Sequence, residues 1–106
     1  MAVVTVNPGV CGFATRIVAT ANEDYEVSVT ITSGCEHIKQ LAEQITTHSP
    51  LREMRLPMAA TTVYQAAGPC KLHASCPVPS AILKAVEVAA GLALPADVMM
   101  TITRDD

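Results

Sequence analysis

A chain of 106 residues that is half apolar, with seven basic and ten acidic side chains, is long enough for one compact domain with a filled core. Its net charge of -3 and its three aromatic rings (Phe13, Tyr25 and Tyr64) exclude a nucleic-acid surface, which needs a basic patch and stacking platforms. A membrane span is excluded as well: the most apolar stretch, residues 81–94, is interrupted by Lys84, Glu87 and Gly91 and stops at Pro95.

Residues 3–6 read as a short strand, and Asn7-Pro8-Gly9 as a turn, because Pro fixes φ and Gly tolerates positive φ. Residues 13–21, rich in β-branched and small side chains, read as a second strand. A polar turn at Asn22-Glu23-Asp24 follows. Tyr25, Val27, Val29 and Ile31 then alternate with polar residues, the period-two pattern of a half-buried strand. Ser33-Gly34-Cys35-Glu36 fits a capping box, in which the hydroxyl and the carboxylate each satisfy a free backbone N–H. Ile38, Leu41 and Ile45 give the following helix an apolar stripe to about Thr47. His48, at that helix end, reads as a partner of the helix dipole.

Ser49-Pro50 starts a short helix, Pro57 ends it, and residues 58–67 form another helical piece. A second long helix follows Cys76-Pro77-Val78-Pro79, with Ile82, Leu83, Val86, Ala89 and Ala90 on its apolar stripe and Gly91 near its end. Residues 98–103 read as a last strand. The expectation is a single α+β domain over residues 1–106. It is a two-layer sandwich whose mainly antiparallel sheet, an N-terminal β-meander plus a C-terminal strand, packs with two main helices.

Chemistry enters through four cysteines at element boundaries. Cys11 lies in a glycine-flanked turn, Cys35 opens one helix, and Cys70 and Cys76 flank His73 ahead of another. A helix N-terminus offers unpaired N–H groups and a positive dipole end, so Cys35 and Cys76 are expected to lean toward thiolate, the form that binds metals and attacks electrophiles. The N-terminus has no basic run ahead of a long apolar segment, so a cytoplasmic protein is expected, where thiols are reduced, metal-bound or redox-active.

The leading reading is a cysteine-ligated iron–sulfur cluster or zinc ion. Its ligands are Cys11, Cys35 and Cys76, with Cys70 or His73 as a fourth. A thiol/disulfide redox protein using Cys35 or Cys76 is the first rival. The second is a structural or interaction module with inert thiols, since free cysteine also serves as a small buried hydrophobe. Its Ala, Val and Met content would suit a homodimer packed across a sheet edge or helix face. His37 beside Cys35 reads equally well as a solvated helix residue, and the acidic turn at Glu23, Asp24 and Glu26 as plain surface. No nucleophile elbow, phosphate loop, dinucleotide fingerprint, C-x-x-C pair or zinc-protease helix is present, so no reaction, substrate or catalytic residue is named.

At Pro8-Gly9-Val10-Cys11-Gly12-Phe13, Ser33-Gly34-Cys35-Glu36 and His73-Ala74-Ser75-Cys76-Pro77-Val78-Pro79 the chain resembles a family of small cysteine-containing proteins of unknown function. The resemblance covers nearly the whole chain. It implies hosts that are mainly anaerobic bacteria and archaea, a habitat compatible with oxygen-sensitive sites.

Overall fold

The computed structural model describes residues 1–105. Strands β1 (Ala2–Val6), β2 (Thr15–Ala21) and β3 (Val27–Ser33) form an antiparallel meander. Helix α1 (Glu36–Gln44) follows, then a two-residue strand β4 (Thr47–His48) that pairs with the start of β3. The sheet order is β1-β2-β3-β4. Helix α2 (Pro50–Arg55), a 3-10 turn (Met58–Ala60), α3 (Thr62–Ala67) and α4 (Val78–Ala89) complete the described elements. The result is a mixed α+β fold, a four-stranded antiparallel sheet with four α-helices, none of which is long and apolar enough to cross a membrane.

The strand pattern sorts the two faces. Ala19, Val29, Ile17, Val4 and Val6 point to the helical side, and the register aligns Ala2, Ala19 and Val29 on one rung and Val4, Ile17 and Ile31 on the next. Thr20, Ser28, Thr30 and Thr32 face water. Helix α4 lies over β1 and β2, and α1 lies beside β3. Ile38 and Leu41 from α1 meet Val78, Ile82, Ala85 and Val86 from α4 in one continuous core. Burying each of the larger side chains of this core is worth about 1.5–3 kcal/mol, which makes the seam between helices and sheet the main source of stability.

Several boundaries differ from the sequence reading. The second strand begins at Thr15, leaving Phe13 outside it, and the third begins at Val27. Tyr25 instead occupies the connecting turn at φ 60, where the Asn22 side-chain oxygen accepts the N–H groups of Asp24 and Glu26 at 2.9 and 3.0 Å. The capping box does not form. Cys35 is the N-cap of α1, so Glu36 lies too early in the helix to reach back and pairs with Lys39 at 3.2 Å. Helix α1 also stops at Gln44, because Ile45 turns extended to bury its side chain and lead into β4. His48 is therefore not a helix-end partner: it faces the core opposite Val27.

Thr61, extended at φ -64 and ψ 152, splits the 58–67 piece in two. The expected strand at residues 98–103 is absent; these residues have no regular structure. The fourth strand position belongs to Thr47–His48, and the chain after α4 turns away at Gly91 (φ 75), where the Leu92 N–H closes on the Glu87 carbonyl at 2.9 Å. Alternation shows that a segment can be a strand, yet pairing needs an available edge.

Candidate functional site

One end of the sheet gathers the turn between β1 and β2, the exit of β3, and the start of α4. The last inward rung there is Val6, Thr15 and Ser33. It is the one inward rung that carries two hydroxyls, and they are hydrogen-bonded to each other at 2.9 Å. The Ser33 oxygen also accepts the Cys35 N–H at 3.1 Å, and the Thr15 hydroxyl donates to the Phe13 carbonyl at 3.2 Å. This small network ties the loop before β2 to the loop after β3.

The two loops also touch through Phe13 and Gly34. A Cβ at Gly34 would lie 3.2 Å from Cδ1 of the Phe13 ring, so any side chain there would push the exposed ring outward by a few tenths of an ångström. Cys11 sits in the same loop as Phe13, on an exposed turn where the Gly12 N–H meets the Gly9 carbonyl at 3.0 Å and both glycines have positive φ.

The third thiol arrives from the far end of the sequence. Cys76 precedes the Pro77 cap of α4 and is held by its N–H donating to the His73 carbonyl at 3.0 Å. Cys35 and Cys76 are both half-buried against the common core. Burial pushes the Cys76 thiol up; the Val78 N–H bonding to it works in the opposite direction; Cys11 and Cys35 add to the rise by charge repulsion. Cys11 and Cys35, up to 65 positions away in sequence, thus both lie near enough to Cys76 to act on its charge. The expected lean of Cys76 toward thiolate is reversed, because losing water outweighs one N–H at the helix start.

The remaining candidates lie differently. Cys70 is buried in the core, and Gln44, the last residue of α1, donates to its sulfur at 3.6 Å. Cys35 caps the other end of that helix, about 13 Å away along its axis. His73 and His37 are exposed. Among the described residues, no three of His, Cys, Asp and Glu are already placed to hold a metal ion.

Of two buried polar groups, the sequence pattern misses Glu53 and misplaces His48. Glu53 is buried, and its carboxylate accepts the Thr62 N–H at 3.1 and 3.0 Å together with the Thr62 hydroxyl. It satisfies the start of α3 from outside that helix, alongside the Thr61 hydroxyl that accepts the Tyr64 N–H at 3.3 Å. His48 is buried with neither ring nitrogen hydrogen-bonded, and desolvation lowers its pKa, partly opposed by the Glu53 charge. Flanked by Arg52 and Arg55, Glu53 resembles any solvated helix charge, so no local pattern reveals its role. Two clefts, of about 330 and 370 Å³, border α4; no cysteine lines either.

No curated protein and no solved structure matches the chain. A family model does, across residues 2–102. The cysteine-bearing turns, the meander and α4 all fall inside that match, and the chain belongs to a family of unknown function, DUF6951.

Proposed function

We propose that this is a small cytoplasmic metal-binding protein, folded as one domain, in which Cys11, Cys35 and Cys76 hold a zinc ion or an iron–sulfur cluster. The observation that carries the reading is the convergence of three thiols from three separate segments on one end of the sheet. Clustered thiolates repel one another, and a bound cation relieves that repulsion, releasing protons as it binds.

The three sulfurs are not drawn together to coordination distance as they stand, so binding would pull in the exposed Cys11 turn. Its two positive-φ glycines make that turn easy to reshape. His73, one turn before Cys76 and open to solvent, is the fourth ligand in this reading; Cys70, tied to Gln44 in the core, is not a ligand. Anaerobic hosts, which the sequence resemblance implies, would suit an oxygen-sensitive cluster.

The test is anaerobic purification followed by metal analysis and an absorption spectrum. Visible charge-transfer bands identify a cluster, and colourless stoichiometric zinc identifies the ion. Cys11→Ser, Cys35→Ser and Cys76→Ser should each lower metal affinity by more than about tenfold, the loss that follows even when only a hydrogen-bond partner of a ligand is removed, while Cys70→Ala retains it. Metal-free protein that takes up neither zinc nor iron and sulfide sinks the proposal. One observation favours a thiol–disulfide rival: two thiols suffice for it, and Cys35 and Cys76 lie half-buried against the same core. There, the thiolate of Cys35 or Cys76 would attack a substrate disulfide and release one thiol. The other cysteine of the pair would then displace the second, leaving an intramolecular disulfide and a reduced substrate. Trapping that bond in metal-free protein would select this rival.

A further inference from the structure

The geometry points to a reciprocal strand exchange between two copies of this chain, in which residues 98–103 of each copy add to the open edge of β1 in the other. The residues after α4 have an alternating pattern, with Val98, Met100 and Ile102 on one side and Met99, Thr101 and Thr103 on the other. They form no strand within their own chain, and Val98, Met100 and Ile102 are 63%, 72% and 87% exposed. A contiguous run of large apolar side chains in water marks a surface that binds something.

The same molecule has a matching vacancy. Strand β1 stands at the end of the sheet order, with β2 on one side and no strand on the other. Its sequence, Ala2-Val3-Val4-Thr5-Val6, has no charge and no proline, and its register with β2 runs without a bulge. These are the devices that ordinarily keep an edge from pairing, and β1 lacks them. Val4, in the middle of the inward-facing row between the buried Ala2 and Val6, is only half-buried, as expected where its outer flank is uncovered.

Length and shape agree with an exchange. The edge strand has five residues, and residues 98–102 span the same length when extended. The Gly91 turn and Pro95 carry the segment off the end of α4, and the molecule measures 51 × 28 × 25 Å, elongated along one axis. A segment that leaves its own body meets an edge on a second copy, and two such pairings close about a two-fold axis. Val98, Met100 and Ile102 then extend the inward row of Ala2, Val4 and Val6 beside α4 of the partner copy. The exchange makes no use of the thiols.

The test uses the full chain, reduced and chelator-treated, by light scattering across a dilution series together with amide hydrogen exchange. The native protein should be a dimer with protected amides in residues 98–103. Replacing Met99→Pro together with Met100→Pro removes one N–H from each side of the segment, outside the core. It should raise the dimer dissociation constant at least about tenfold. It should also abolish protection of the segment and leave the circular dichroism of the folded body unchanged. A native chain that stays monomeric at every concentration overturns the proposal, whether its tail is unprotected or is protected by its own sheet. A dimer indifferent to the two prolines overturns it as well.

Discussion

Ser33 holds the two cysteine-bearing loops together through a single oxygen. It bonds Thr15 across the last rung and accepts the Cys35 N–H, so its removal leaves the Cys35 amide without that partner and takes one of the two bonds from the Thr15 hydroxyl. Ser33→Ala should cost about 1 kcal/mol, close to a lost helix cap, yet for a different reason. Urea melts give the size, and paired melts with Thr15→Val separate the two accounts. The losses should fall short of additive if the rung network is responsible, and a lone cap would leave them additive. Cysteine placement at element boundaries was legible in sequence because turn glycines and helix-starting prolines mark such positions. The ranking of the thiols was not, since it depends on burial. Cys11 should be alkylated first by iodoacetamide and Cys70 last in metal-free protein, with Cys76 slower than its place at a helix start alone would give. Peptide mapping after brief reaction reads the order directly.

His48 adds a second residue-scale consequence. Its pKa is lowered in the folded chain, so below its ordinary value of 6.5 the unfolded chain takes up a proton that the folded one resists. Unfolding is then favoured by acid: stability falls as pH drops below about 6.5 and continues to fall until the lowered folded value is reached. Thermal melts from pH 7.5 downward should show this slope, and His48→Leu should flatten it. An unchanged slope in the variant would assign the acid sensitivity elsewhere.

Among the elements, α3 depends most on a group outside itself. Six residues cannot sustain a helix in water unaided, and its first N–H groups are met by the Glu53 carboxylate and the Thr61 hydroxyl. Glu53→Ala should destabilise the protein by about 2–3 kcal/mol, the range for charge-assisted bonds made by a carboxylate that is itself buried, and Glu53→Asp should recover little because the shorter arm falls short of Thr62. Denaturant midpoints for the two variants decide it. The meander, α1, α2 and α4 were readable because periodicity and proline placement are local signals. The two-residue strand β4 was not, since Thr47 and His48 become a strand only by lying against Val27 and Ser28. The 98–103 segment shows the same limit from the other side: its alternation is clear, and no edge of its own chain receives it.

At the scale of the whole molecule, both long helices cover one face of the sheet, while the other face and the β1 edge stay open. The thiol end draws on the turn after β1, the exit of β3 and the approach to α4, a convergence that no local pattern encodes. A ligand gripping all three would act as a clasp on the native state alone. Adding zinc to reduced apo-protein at about a thousandfold above its dissociation constant should therefore raise unfolding free energy by about 4 kcal/mol, with Cys76→Ser losing most of the gain. Melts with and without zinc measure both. Equal shifts in the variant would place the metal elsewhere.

The position of α4 also sets an order of events during synthesis. β1, β2 and β3 can pair as soon as they emerge, but the inward face of β1 and β2 has no cover until residues 78–89 are made. A nascent chain stalled at Pro77, just short of that helix, would carry Cys11, Cys35 and Cys76 beside a greasy, half-built sheet. Every one of those thiols would be present, and the site would not. Maturation at that end is therefore a late event on the ribosome, timed by the arrival of a helix rather than of a thiol.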